Sequence, residues 1–166
     1  EKIGVLLFDL SGQGESTSDE RGEEVYVEDL EAVSHWAASH DDVDEERIGI
    51  AALGTGAEIA LRAVRHGLAR PRVLALMSPD LEACGFVGVQ APSLVIAGSN
   101  DPSLETLKTL VARSECAIIT VLAGVGPSFE ESGALEECAD RAVDWLDAGF
   151  VGAVGWPEWQ DEGGGD

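Results

Sequence analysis

Five short apolar runs, separated by amphipathic or polar stretches, constrain this chain more than any other feature. They are IGVLLFDL (3–10), RIGIAAL (47–53), RVLALMS (72–78), PSLVIAG (92–98) and AIITVLA (117–123). Runs of this length that are apolar on both alternating faces mark strands buried on both sides, as in a parallel sheet. Between and after them, apolar residues recur at helical spacing over about 25–39, 57–66, 104–113 and 134–146. In the first, Val25, Leu30, Val33, Trp36 and Ala37 carry the stripe. In the second, Arg65 and His66 followed by Gly67 form a helix end, because glycine takes the left-handed turn that closes a helix. The alternation predicts an α/β fold with a mainly parallel sheet of about five strands flanked by helices.

The polar stretches are loops. Residues 11–24 read SGQGESTSDERGEE, and 41–46 form an acidic connector. After the last helix, AGFVGAVGWPEW (148–159) is apolar and aromatic with two of the four tryptophans, and it ends in QDEGGGD. The expected organisation is one domain over 1–147 and a tail over 148–166, its final seven residues disordered.

Charge narrows the partners. Thirty-two acidic residues face ten basic ones, and only Lys2 and Lys108 are lysines, for a net charge of −22. Such a surface repels nucleic acid and anionic membranes. With 45% apolar residues the chain is not a disordered acidic tail, so the acids belong to the surface of a folded, salt-adapted domain. No run of about 18 apolar residues predicts a membrane span, no secretory signal pattern stands at the start, and a cytoplasmic location is expected. Cys84, Cys116 and Cys138 lack metal-ligand spacing and read as buried thiols in a reducing compartment. The acidic runs 41–46 and Asp161-Glu162 lack calcium-loop spacing. No metal and no cofactor is expected.

The order of these segments resembles an α/β-hydrolase of the dienelactone-hydrolase-like branch. VLLFDLSGQGES is similar to that fold's fourth strand and following loop, and IGIAALGTGAEIAL to its fifth strand, nucleophile elbow and helix. APSLVIAGSNDP is similar to the seventh strand and acid loop, and VLAGVGPSFEESGALEECADRAVDWL to the eighth strand, histidine loop and last helix. The resemblance covers about residues 3 to 147 and begins at the fourth strand. The earlier strands, and the His-Gly loop that donates to the oxyanion, therefore have no counterpart in these 166 residues. An oxyanion donor of that kind is worth about 3–4 kcal/mol.

At the positions that should do chemistry the sequence departs from the family. The elbow pattern G-x-S-x-G reads Ala52-Leu53-Gly54-Thr55-Gly56, so Gly54 stands where the nucleophile should be. The histidine pattern reads Gly124-Val125-Gly126-Pro127-Ser128-Phe129, so Pro127 stands where the base should be. The acid is retained as Asp101. A triad needs a nucleophilic oxygen or sulfur, an imidazole to take its proton and a carboxylate to orient the imidazole. Gly54 cannot attack and Pro127 cannot accept a proton. Asp101 is then a loop carboxylate, suited to capping the helix after it.

Other hydroxyls and imidazoles stand elsewhere in the sequence. Thr55 carries a hydroxyl beside the empty position, but none of His35, His40 and His66 follows a strand at the carboxyl end. A helix-terminal hydroxyl satisfying backbone amides is the expected role of Thr55. Ser11 and Ser128 lie on loops at strand carboxyl ends, where open α/β sheets bind ligands, and are candidate pocket residues. Gly54 and Gly56 leave amides open at a helix start, without a basic residue near them in sequence.

The resemblance implies a hydrolase-like domain that has lost turnover and now binds, supports or regulates. Its alternative is an esterase or dienelactone-hydrolase type enzyme with a displaced nucleophile or completed by another chain. A third implication is a structural appendage of a larger protein, since related hydrolase-like domains occur fused to phosphoribosyltransferase domains. In the family the third strand lies between the fourth and fifth. Its absence implies a half-bare sheet face, covered by the aromatic tail, a second copy, or an upstream or partner domain.

Overall fold

Four of the five apolar runs pair into one parallel sheet in the computed structural model, which describes residues 3–18, 22–81 and 85–152. The strands are β1 (Gly49–Leu53), β2 (Val73–Met77), β3 (Ser93–Gly98) and β4 (Ala117–Leu122), in the order β1-β2-β3-β4. Gly49 stands opposite Val73, Leu74 opposite Ser93, and Ser93 opposite Ala117. The helices are α1 (Glu23–Ala38), α2 (Thr55–Arg65), α3 (Leu104–Ala112) and α4 (Ala134–Phe150). A short 3-10 turn, Glu45–Arg47, lies in the acidic connector, where the Asp44 carboxylate accepts the Glu46 amide at 3.1 Å.

The two-residue period of the strands divides the core in two. Ile50, Ala52, Leu74, Leu76, Val95 and Ala97 point to one side and pack with α2 and α3, while α1 adds Val27 and Leu30. Val73, Ala75, Leu94, Ile96 and Ile118 point to the other side and pack against α4 through Cys138, Ala142 and Trp145. Leu74, Leu76, Ile96 and Leu61 are at most 2% exposed, and burying each stabilises the fold by roughly 1.5–3 kcal/mol. Burial also pushes the Cys138 thiol up to about 11 from 9.0.

α4 crosses the sheet closely because Gly149 has no side chain. A Cβ there would come within 2.7–2.8 Å of the Val73 side chain. The helix continues to Phe150, past the expected end near Leu146, and a Cβ at Gly49 would meet Leu146 and Phe150 at 2.9–3.0 Å. α2 ends as expected: Gly67 takes φ +73, and the Leu68 amide reaches back to the Ala63 carbonyl at 2.9 Å.

The expectation of a fifth strand over residues 3–10 is corrected, since these residues form no strand. A strand needs a neighbour about 4.8 Å away to take its amides and carbonyls. No strand among the described residues pairs with this run, and Val5 and Leu7 are 80% and 87% exposed. Apolarity alone did not make it a strand. β1 is consequently an edge of the sheet. On the α4 side Gly49 is covered, whereas Ala51 is exposed and Leu53 is 48% exposed. Cys84, most of the aromatic tail and the acidic terminus lie outside the described residues.

No helix among the described residues is long and apolar enough to cross a membrane.

Candidate functional site

The carboxyl ends of all four strands are laced into one rim. The Gly54 amide, just past β1, donates to the Met77 carbonyl at 2.9 Å. The Ser78 amide, just past β2, donates to the Ile96 carbonyl at 2.8 Å. The loop after β3 is tied to the loop after β4 by Ser99 N to the Leu122 carbonyl at 2.8 Å and Asn100 N to the Val125 carbonyl at 2.9 Å. The Gly124 amide donates back to Ser99 Oγ at 2.8 Å. Gly54, Ser78, Asp101 and the loop carrying Pro127 therefore follow one another along this rim.

At Gly54 the chain turns from β1 into α2 with φ 55 and ψ −123, outside the wells open to other residues. This is the sharp strand-to-helix turn that lifts an elbow residue above a sheet. An added Cβ at Gly54 would meet no atom within 4 Å. The turn presents no side chain at its apex. Gly54→Ser should accordingly fold, losing roughly 1–3 kcal/mol to backbone strain alone. Urea unfolding of the variant beside the parent chain in molar potassium chloride checks this. A larger loss would mean that the space above the turn is filled.

Asp101 is 8% exposed and is fully engaged. Its Oδ1 accepts the Ser103 amide at 2.8 Å, a turn within the loop ahead of α3, whose own N-cap Ser103 makes no side-chain cap. Its Oδ2 accepts the Ser78 hydroxyl at 3.1 Å. Ser78 was missed by sequence reasoning, which placed it at the end of a strand. It has φ 38, an uncommon conformation for a residue other than glycine. The one available signal was its place between a strand and Pro79, where the chain must turn.

The other candidates are dispersed. Pro127 and Ser128 are exposed on a loop held by Glu131, whose Oε1 accepts the Gly126 amide at 3.0 Å, and by the buried Phe129 at φ 53. Ser11 is engaged by α1, its amide and hydroxyl both donating to the Asp29 carboxylate at 2.7 and 2.9 Å. Thr55 is exposed, and its hydroxyl makes no hydrogen bond among the described residues, so the expected capping role is not realised. The α2 start has no side-chain cap. His35 lies in α1, and His40 pairs through Nδ1 with the Trp36 carbonyl at 2.8 Å. His66 closes α2 at the end away from Gly54, about 16 Å along the 11-residue helix. The structure brings Ser78 and Asp101 together, but no imidazole with either. Among the described residues, no group of three or more His, Cys, Asp or Glu side chains is arranged to hold a metal ion.

Solved structures share the fold. A dienelactone hydrolase from Anabaena variabilis superposes with a TM-score of 0.66 at 21% identity, covering 75% of this chain and 60% of that one. An α/β serine hydrolase without a lid from Xanthomonas campestris does so at 0.68 and 21%, covering 90% and 66%. The chain has an α/β-hydrolase fold. At these identities the likeness concerns the hydrolase-like fold and not the activity. No protein-family model matches the chain. Two proteins of Mycobacterium tuberculosis, both provisionally named phosphoribosyl transferases, are 33% identical to this hydrolase-like chain over 160 residues. The match takes in 87% of this chain and 34% of each relative, so the chain spans about one third of their length.

Proposed function

We propose that this chain is a salt-adapted α/β-hydrolase-fold domain without hydrolytic turnover, whose role is binding, support or regulation. The observation that carries the reading is Gly54: an elbow turn with open space above it and no atom to attack with. Pro127 at the expected base position and Asp101 bonded to Ser78 complete the picture. Hydrolysis of a p-nitrophenyl acyl ester by the folded chain in molar potassium chloride should match the buffer rate. A saturable rate above buffer, abolished by Ser78→Ala, would favour the second reading, a hydrolase with a displaced nucleophile. That reading rests on the 3.1 Å bond between Ser78 and Asp101, which sets a hydroxyl against a carboxylate. Without an imidazole, the carboxylate alone would have to take the serine proton, a poor match of acidities.

The 33% likeness to provisionally named phosphoribosyl transferases supports a setting in a larger protein, with this domain as an accessory to a phosphoribosyl-transferring unit. The exposed run 3–8 and the bare end of β1 are the surface through which a second copy or a neighbouring domain would be held. The setting is a cytoplasm, and nucleic acid and membranes are not partners of so acidic a surface. Salt adaptation has its own expected result. With a net charge of −22, the urea midpoint should rise steeply between 0.1 and 2 M potassium chloride as screening removes self-repulsion. A midpoint insensitive to salt would contradict it.

A further inference from the structure

A cavity of about 440 Å³ opens at the end of the sheet opposite the Gly54–Asp101 rim, where the chain enters β3 and β4. Its floor is apolar: Phe86, Val89 and Leu110 are 6–8% exposed. Arg113, Gln90 and Ser114 bring polar groups to it.

The wall is built rather than loose. Arg65, at the end of α2, donates from Nη2 to the Gly85 carbonyl at 2.7 Å and from Nε to the Val87 carbonyl at 3.1 Å. Gly85 lies so close to Leu110 that an added Cβ would stand 3.2 Å from it. On the far side, Cys116 donates from Sγ to the Val89 carbonyl at 3.2 Å. The guanidinium of Arg113 makes no hydrogen bond or ion pair among the described residues, although acids outnumber bases thirty-two to ten. Glu115 lines the same cavity and leaves it unpaired.

We infer that this cavity binds a small amphipathic carboxylate, with its apolar body on Phe86, Val89 and Leu110 and its carboxylate on Arg113. The volume lies within the usual range for small-molecule sites, which are largely apolar with a few polar groups that fix orientation. A guanidinium matches a carboxylate with two parallel hydrogen bonds, and Arg113 is the basic residue among those lining the cavity. The inference does not depend on whether the opposite rim is catalytically silent.

The test is an amide-resolved NMR titration of the 166-residue chain with octanoate, and with octan-1-ol as the uncharged control. Octanoate should saturate shifts at Phe86–Gln90 and Leu110–Cys116 and leave Gly54 and Asp101 unmoved. Arg113→Gln, at an exposed position whose guanidinium makes no bond among the described residues, should weaken octanoate binding about tenfold and leave octanol unchanged. Absence of saturable shifts at the cavity would overturn the inference. So would octanoate binding that Arg113→Gln does not weaken, or that octanol matches.

Discussion

Gly98→Ala should lower stability by about 3–5 kcal/mol, at the upper end of what overpacking costs. Gly98 ends β3 and feeds the loop that carries Asp101. A Cβ at this position would collide with the Val125 carbonyl oxygen and stand 2.9 Å from that of Gly126. Both obstacles are backbone, so no side chain can rotate away. The loop after β4 would have to lift, breaking Asn100 N to the Val125 carbonyl and Gly124 N to Ser99 Oγ. Gly67→Ala is the control. Gly67 takes φ +73 in open space, so its cost is conformational, about 1 kcal/mol. The urea midpoints should therefore differ widely, Gly98→Ala falling far below Gly67→Ala. Equal midpoints would mean that the two loops do not meet as described.

Trp145→Ala should cost a further kind of stability, about 3–5 kcal/mol from a cavity between α4 and the sheet. Trp145 is 7% exposed, and its Nε1 donates to the Leu74 carbonyl of β2 at 2.8 Å. It packs in the same cluster as Val73, Ile96, Ile118 and Cys138, and α4 is the helix on this face of the sheet. Trp145→Phe keeps most of the ring and loses the hydrogen bond, so it should cost about 1–2 kcal/mol. Unfolding by circular dichroism in molar potassium chloride separates the two variants. If Trp145→Ala were as mild as Trp145→Phe, α4 would not be the seal that this packing makes it.

Much of the fold was legible because burial on both faces leaves a strong signal. β2, β3 and β4 are continuous apolar runs, and each lies within a residue or two of where the sequence puts it. Residues 3–10 carry the same signal and form no strand. Apolarity records that a segment suits a sheet, whereas pairing depends on a neighbour that the segment itself does not encode. The end of α4 was misjudged for a local reason. Gly149 reads as a helix stop, yet here it is the residue that lets the helix approach Val73.

The order of motifs singles out Gly54, Asp101 and Pro127 in the sequence, but it does not give their spatial relation. Ser78 holds Asp101 across two strand ends, 23 residues apart, and no spacing rule links them. Thr55 was expected to satisfy amides at the start of α2. Its placement as the first helical residue, with Gly54 before it, points the turn elsewhere. Ser11 was a rim candidate until α1 brought Asp29 onto its amide and hydroxyl together.

The proposed loss of hydrolytic turnover requires that the rim hold no activated nucleophile. Incubating the folded chain with a fluorophosphonate in multimolar potassium chloride and weighing it intact by mass spectrometry tests it directly. The mass should remain that of the unmodified chain. A stoichiometric adduct mapping to Ser78, Thr55, Ser11 or Ser128 would contradict the claim and identify the displaced nucleophile.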